Sequence, residues 1–149
     1  MEIIMNNIKE VAKNFFKQKG LSFYFLIGTF VFSLISLILY INTGVTIFTQ
    51  ELSVLVITLL SVSMILNMVL LYKEQQILIF ALYILGFLAW LEFFVNQVTY
   101  ITNVLIGIDE YRISMSFIMS VLFLSLNWIT SLTAGIVFSI NNGKKEKVN

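Results

Sequence analysis

Four stretches of this chain are built almost wholly from apolar residues, and nearly all of its charge is gathered between and beyond them. Residues 21–41 and 52–72 carry no charge, 77–95 carry only Glu92, and 113–140 carry none. A hydrocarbon layer of about 30 Å needs about 20 helical residues at about 1.5 Å each, so every stretch is long enough to cross. The last is longer than needed and is expected to tilt or overhang. Strands are excluded as the alternative: a sheet edge facing lipid leaves backbone groups unpaired, and four segments are far too few for a closed barrel. The predicted fold is all-α, an integral membrane four-helix bundle filling residues 1–149 as one domain, with no repeat or separate soluble unit.

Outside these stretches the hydrophobic pattern is still periodic. Over residues 1–19, Ile4, Ile8, Val11 and Phe15 recur at helical spacing with Met5, Ala12 and Phe16 beside them, while Lys9, Lys13 and Lys17 line the other face. This predicts an amphipathic helix lying at the membrane surface, its lysines against anionic lipid at about 1 kcal/mol each. It serves either as an anchor for the first span or as a docking helix for a partner, and the residues do not separate the two. Residues 96–108 place Val98, Ile101, Leu105 and Ile108 at the same spacing. They read as an extension of the third helix or a short helix resting on the outer leaflet.

The basic residues set the orientation. Lys9, Lys13, Lys17 and Lys19 precede the first span, Lys73 lies between the second and third, and Lys144, Lys145 and Lys147 lie in the tail, residues 141–149. All three segments fall on one side, and the other side holds only Arg112. By the positive-inside rule the lysine-rich side, with both termini, is cytoplasmic, and the protein is a multi-pass protein of the cell membrane. The first span is too long, and lacks a following small-x-small site, to be a cleaved signal.

Composition narrows the chemistry. Hydrophobic residues make up 59% and charged residues 11% of the 149, where a soluble domain is roughly a quarter charged. Cysteine and histidine are both missing, which removes disulfides, thiol nucleophiles, Cys/His zinc sites and histidine-based acid–base relays. No phosphate loop, dinucleotide fingerprint or hydrolase elbow occurs, so no enzyme activity and no cofactor are expected. The absence of proline argues against the broken helices on which many transporters build their sites. A net charge of +1 points to no nucleic-acid partner, and eight lysines to one arginine, with abundant Ile, Phe and Asn, point to an AT-rich bacterial genome.

Few polar residues remain within the spans. Glu92 is the one ionisable group there, at roughly 2.5–3.5 kcal/mol if it stood at mid-bilayer. It lies about 22 Å along the third span, in its outer third, where it reaches headgroups or Arg112, or else binds a cation or proton. Ser22, Thr29, Ser33 and Ser36 share one face of the first span. Ser116, Ser120, Asn127, Ser131, Ala134 and Gly135 share one of the fourth, and Ser63 and Asn67 mark the second. Small and hydroxylated faces pack inward in membranes; a polar solute path is the other reading. Asn67 and Asn127 are both expected toward the cytoplasmic half, close enough to meet.

The size invites comparison with small multidrug exporters, but their essential carboxylate lies in the first span, which here has none. Only Phe25-Leu26-Ile27-Gly28 is shared with GtrA-like flippases of lipid-linked sugars. The Phe15-Phe16-Lys17 lead-in, Leu39-Tyr40-Ile41-Asn42-Thr43-Gly44 closing the first span, and the polar outer turn before the fourth resemble uncharacterised four-span proteins of Gram-positive bacteria, some labelled as sugar transporters. The resemblance implies a transport-associated membrane protein and transfers no binding residue. Three functions follow from these features as expectations: an accessory or scaffold subunit of a membrane assembly, a small oligomeric transporter or pore using Glu92, and a bacteriocin-immunity-type protein. The partners expected are anionic lipids of the cytoplasmic leaflet and another membrane protein or a second copy. Cysteine labels placed after Thr46 and Val104 should react from outside the cell and those after Glu74 and Lys145 only from inside; an external Glu74 would reverse the orientation.

Overall fold

The computed structural model describes residues 20–46, 52–107 and 113–146. The amphipathic segment with Lys9, Lys13 and Lys17, and Arg112, lie outside the described residues. Five helices follow in order: α1 (Leu21–Thr46), α2 (Val54–Tyr72), α3 (Gln76–Asn96), α4 (Val98–Ile106) and α5 (Met115–Glu146). There is no strand among the described residues, and α1, α2, α3 and α5 are each long and apolar enough to cross a membrane. The protein is an all-α, multi-pass membrane bundle.

Helix ends depart from the edges of the apolar runs for local reasons. α1 continues through Asn42 to Thr46, and α5 continues to Glu146, because a helix that bonds its own backbone does not need apolar side chains once it leaves lipid. At 32 residues α5 is about 48 Å long and must project beyond the hydrocarbon layer. Its start is moved inward from residue 113 by Ser114, whose Oγ accepts the Phe117 N–H at 3.1 Å and so caps the first turn. Between α2 and α3 the turn is only Lys73-Glu74-Gln75; the Lys73 N–H bonds back to the Val69 carbonyl at 2.9 Å, and the Gln75 carbonyl accepts Ile79 N–H at 3.0 Å. So short a link forces antiparallel neighbours.

The four spanning helices close a ring in which α1 packs on α2, α2 on α3, α3 on α5 and α5 back on α1, with α1 against α5 the most extensive pairing. Apolar packing within the ring gathers in two clusters. Leu26, Leu70, Ile79, Leu82 and Ala134 fill the end near the Lys73 turn. Tyr40, Val56, Leu60, Ala89, Phe93 and Leu124 fill the opposite end. The outward surface is apolar as well, with Ile65, Ile84, Leu122 and Ile136 among its exposed residues, as a lipid environment requires.

Beyond Asn96 the described residues form a separate helix, Val98–Ile106, rather than a continuation of α3. Gln97, at φ −96° and ψ 4°, ends α3 and begins α4, and Gly107 closes α4 in the left-handed conformation (φ 76°) that glycine adopts at little cost. Of the apolar stripe predicted there, Val98 and Leu105 are exposed, Ile101 is half-buried and Ile108 lies outside the described residues. Tyr100 is buried against the Phe117 ring of α5 with centroids 5.2 Å apart, while its hydroxyl accepts the Ser114 N–H at 2.9 Å.

α3 meets α5 through Gly86. A methyl at Gly86 would sit 3.7 Å from Asn127 Nδ2, Ser131 Oγ and Trp128 Cα, ordinary contact that leaves room for one carbon and no more. Gly86→Ala is therefore expected to keep or slightly raise the midpoint of unfolding in mixed micelles, since alanine is the better helix former. Gly86→Leu should lower stability by about 1–3 kcal/mol by overpacking the α3–α5 contact. Equal losses for both would show that the glycine matters for its backbone instead.

Candidate functional site

Polar side chains within the bundle fall into three places: one at each end and one in the middle. At the end remote from Lys73, Tyr40 of α1 is buried, and its hydroxyl accepts both the Ser53 N–H and Asn96 Nδ2 at 2.9 Å. Ser53 precedes α2, and its own Oγ donates to Glu92 Oε1 at 3.2 Å. Three helices are thus tied through one phenol, and the acid that stood out in the sequence belongs to this tie. Glu92 is half-buried beside the start of α2 rather than alone in the bundle interior. Its expected approach to Arg112 falls outside the described residues. Sequence reading overlooked Tyr40, because a tyrosine near a span end reads as an interfacial aromatic; only its position facing Ser53 and Asn96 reveals the hub.

At the opposite end Ser22 Oγ donates to Glu74 Oε2 at 2.5 Å, a charge-assisted bond that fastens the first turn of α1 to the α2–α3 turn.

The middle is different in kind. Ser33 and Ser36 of α1, Ser63 and Asn67 of α2, and Asn127 and Ser131 of α5 are all buried to 1% exposure or less. Some are satisfied: Asn67 Nδ2 donates to the Leu26 carbonyl at 3.1 Å, and Ser131 Oγ to the Trp128 carbonyl at 2.7 Å. Thr130, which the sequence reading passed over, brings its hydroxyl to 3.1 Å from that of Thr29 and ties α5 to α1. The hydroxyls of Ser33, Ser36 and Ser63, Asn67 Oδ1, and both Asn127 side-chain atoms have no hydrogen-bond partner. Asn67 and Asn127 accordingly do not bond to each other. Asn67 turns to α1, whereas Asn127 lies at the α3 contact beside Gly86, next to the midpoint of the Met115–Asn141 span rather than in the half nearer Lys73.

On the outer surface α3 and α5 part to form a groove of about 590 Å³ near the Lys73 end. Ile77, Phe80 and Tyr83 form one wall, Leu132 and Ile136 the other, and Gly135 lies between. Farther along, the same two helices are held by aromatic contact: Tyr83, Phe87 and Trp90 each lie against Trp128, at 5.3–6.3 Å between centroids, and Trp90 Nε1 donates to Ser125 Oγ at 3.0 Å. The groove opens where these rings give way to glycine and serine.

No three acidic side chains gather among the described residues into a cluster able to hold a metal ion. No protein-family model, curated protein or solved structure matches the chain. The fold and its polar sites define a class, a four-span helical membrane protein with an uncharged polar interior.

If Tyr40 is the hub of the far end, Tyr40→Phe should remove the acceptor that the Ser53 N–H and Asn96 Nδ2 share and cost about 1–3 kcal/mol in reversible unfolding, while Tyr24→Phe, at an exposed position, should change little.

Proposed function

We propose that the protein is a non-enzymatic accessory or scaffold subunit of a larger membrane assembly, in a transport context, and that it works by binding a partner's transmembrane helix. The observation that carries this reading is the groove between α3 and α5. It lies within the apolar spans, its rim residues Ile77, Phe80 and Ile136 are exposed, and Ser131, Gly135 and Ser139 line it at intervals of four. Small residues so spaced let a second helix approach its backbone closely, which is how helices associate in lipid, where apolar surface alone gives no preference for protein over acyl chain.

The arrangement of Glu92 supports the same reading against the ion-coupled one. Its carboxylate takes part in the Ser53–Tyr40–Asn96 tie, and the apolar cluster around Phe93 and Leu60 stands between that tie and the middle of the bundle. A carboxylate serving a cation across the bilayer would need to face a polar path on both sides.

The test is a photo-crosslinking residue at Ile136, in the groove, compared with one at Ile65 on the exposed face of α2. A single membrane-protein partner should crosslink at Ile136 alone, co-purify with the wild type, and be lost with Leu132→Trp, a change on the exposed wall of the groove, while the bundle stays folded. Protein that purifies as a lone copy and, in vesicles, drives a proton- or sodium-coupled flux abolished by Glu92→Gln would replace this function with that of a small transporter.

A further inference from the structure

We infer that the middle of the bundle is a binding site for water: a short file of molecules held at mid-membrane between α1, α2 and α5 by Ser33, Ser36, Ser63, Asn67 and Asn127. The inference starts from where hydroxyls in this protein point when they have a choice. A serine or threonine in a membrane helix can always donate to a carbonyl three or four residues back, and Thr29, Thr58, Thr102, Ser125, Thr130 and Thr133 do so, at 2.6–2.9 Å. Ser33, Ser36 and Ser63 make no such bond although all three are buried to 1% exposure or less. Their oxygens face the interior instead, together with Asn67 Oδ1 and both ends of the Asn127 amide.

These groups stand at neighbouring depths. The Thr29–Thr130 contact sets the register of α1 against α5 and puts Ser33 level with the turn that carries Asn127. The Asn67–Leu26 bond sets α1 against α2 and puts Ser63 one turn nearer the middle than Asn67. From the level of Leu26 to that of Ser36 is ten residues of α1, about 15 Å along the axis. Six unbonded atoms distributed over that distance, at about three hydrogen bonds per buried water, call for at least two molecules.

The chemistry of the lining selects the ligand. It mixes donors and acceptors and has no formal charge, so a cation finds no counter-charge: Glu92 is bonded to Ser53 beyond the Phe93 cluster, and Glu74 to Ser22 at the other end. The two apolar clusters close the ends, which makes this a retained file and not an open pore.

The experiment is water-to-protein magnetisation transfer by NMR on the full chain in lipid nanodiscs, with asparagine side chains labelled. Transfer from water to the Asn127 amide is expected, with none to the backbone amide of Leu60 at a comparable depth. Asn127→Leu should abolish transfer to the Asn67 amide, and Ser63→Ala, the milder change, should reduce it. Absence of transfer at Asn127 in folded wild type, while Asn96 at the end of α3 shows it, would mean a dry interior and overturn the inference. So would an Asn127 signal that moves on titration with sodium or potassium, which would make the site one for a cation.

Discussion

Within a bilayer no polar group can turn to bulk solvent for its hydrogen bond, and that one constraint governs this structure at every scale. It makes the four spanning segments helical, because only a helix pairs its backbone internally. It then sorts side chains: most of the polar groups within the spans turn into the ring, where they share the interior with two apolar clusters, and the lipid-facing surface is left largely apolar. Three of the four pairs of adjacent helices are joined by such a bond, Asn67 to the Leu26 carbonyl, Ser53 to Glu92, and Trp90 to Ser125, and the fourth is marked by the close approach of the Thr29 and Thr130 hydroxyls. Apolar packing alone does not distinguish these pairings in lipid, so the bonds, with the close approach at Gly86, are what specify which helix lies beside which.

The same constraint explains why the polar residues differ in behaviour by depth. At the two ends the polar groups include carboxyls, Glu92 and Glu74, and each accepts from a serine near the start of a helix. In the middle there is no charge, only hydroxyls and amides, and these are spread along three helices. A charge in mid-membrane carries a cost of several kcal/mol, whereas a neutral amide or hydroxyl carries much less when a water or a neighbour is at hand. The distribution is graded as the local dielectric would dictate.

Much of this was legible in the residues. Span number followed from lengths of uncharged sequence, and the inward faces followed from angular clustering: Ser22, Thr29, Ser33 and Ser36 of α1 are buried, as are Ser120, Asn127, Ser131 and Ala134 of α5, while Ser116 and Gly135, assigned to the same face, are only half-buried. Register was not legible, because periodicity fixes which face of a helix turns inward but not how far it slides along its neighbour. Hence Asn67 and Asn127 are both buried but share no hydrogen bond, Asn67 turning to α1 and Asn127 lying beside Gly86 of α3. Tyr40, Thr130 and Tyr100 escaped for a related reason: each matters through a partner on another helix, Ser53, Thr29 and Ser114 respectively, which no local pattern encodes. The α3–α5 groove was invisible as well, since it arises where Gly135 and Ser131 replace the rings that hold the two helices together at Trp128.

One helix outreaches the others. α5 runs unbroken from Met115 to Glu146, with its first turn capped next to Tyr100 and its last turns beyond the hydrocarbon. An uninterrupted helix of this length behaves as a rod, and since α5 lies against both α1 and α3, it is also the axle on which the bundle is assembled. Tyr100 of α4 rests on Phe117 and holds the Ser114 N–H in that first turn, so the short helix is fastened to the one spanning helix that touches both α1 and α3, and a displacement of α4 reaches the bundle through α5 first.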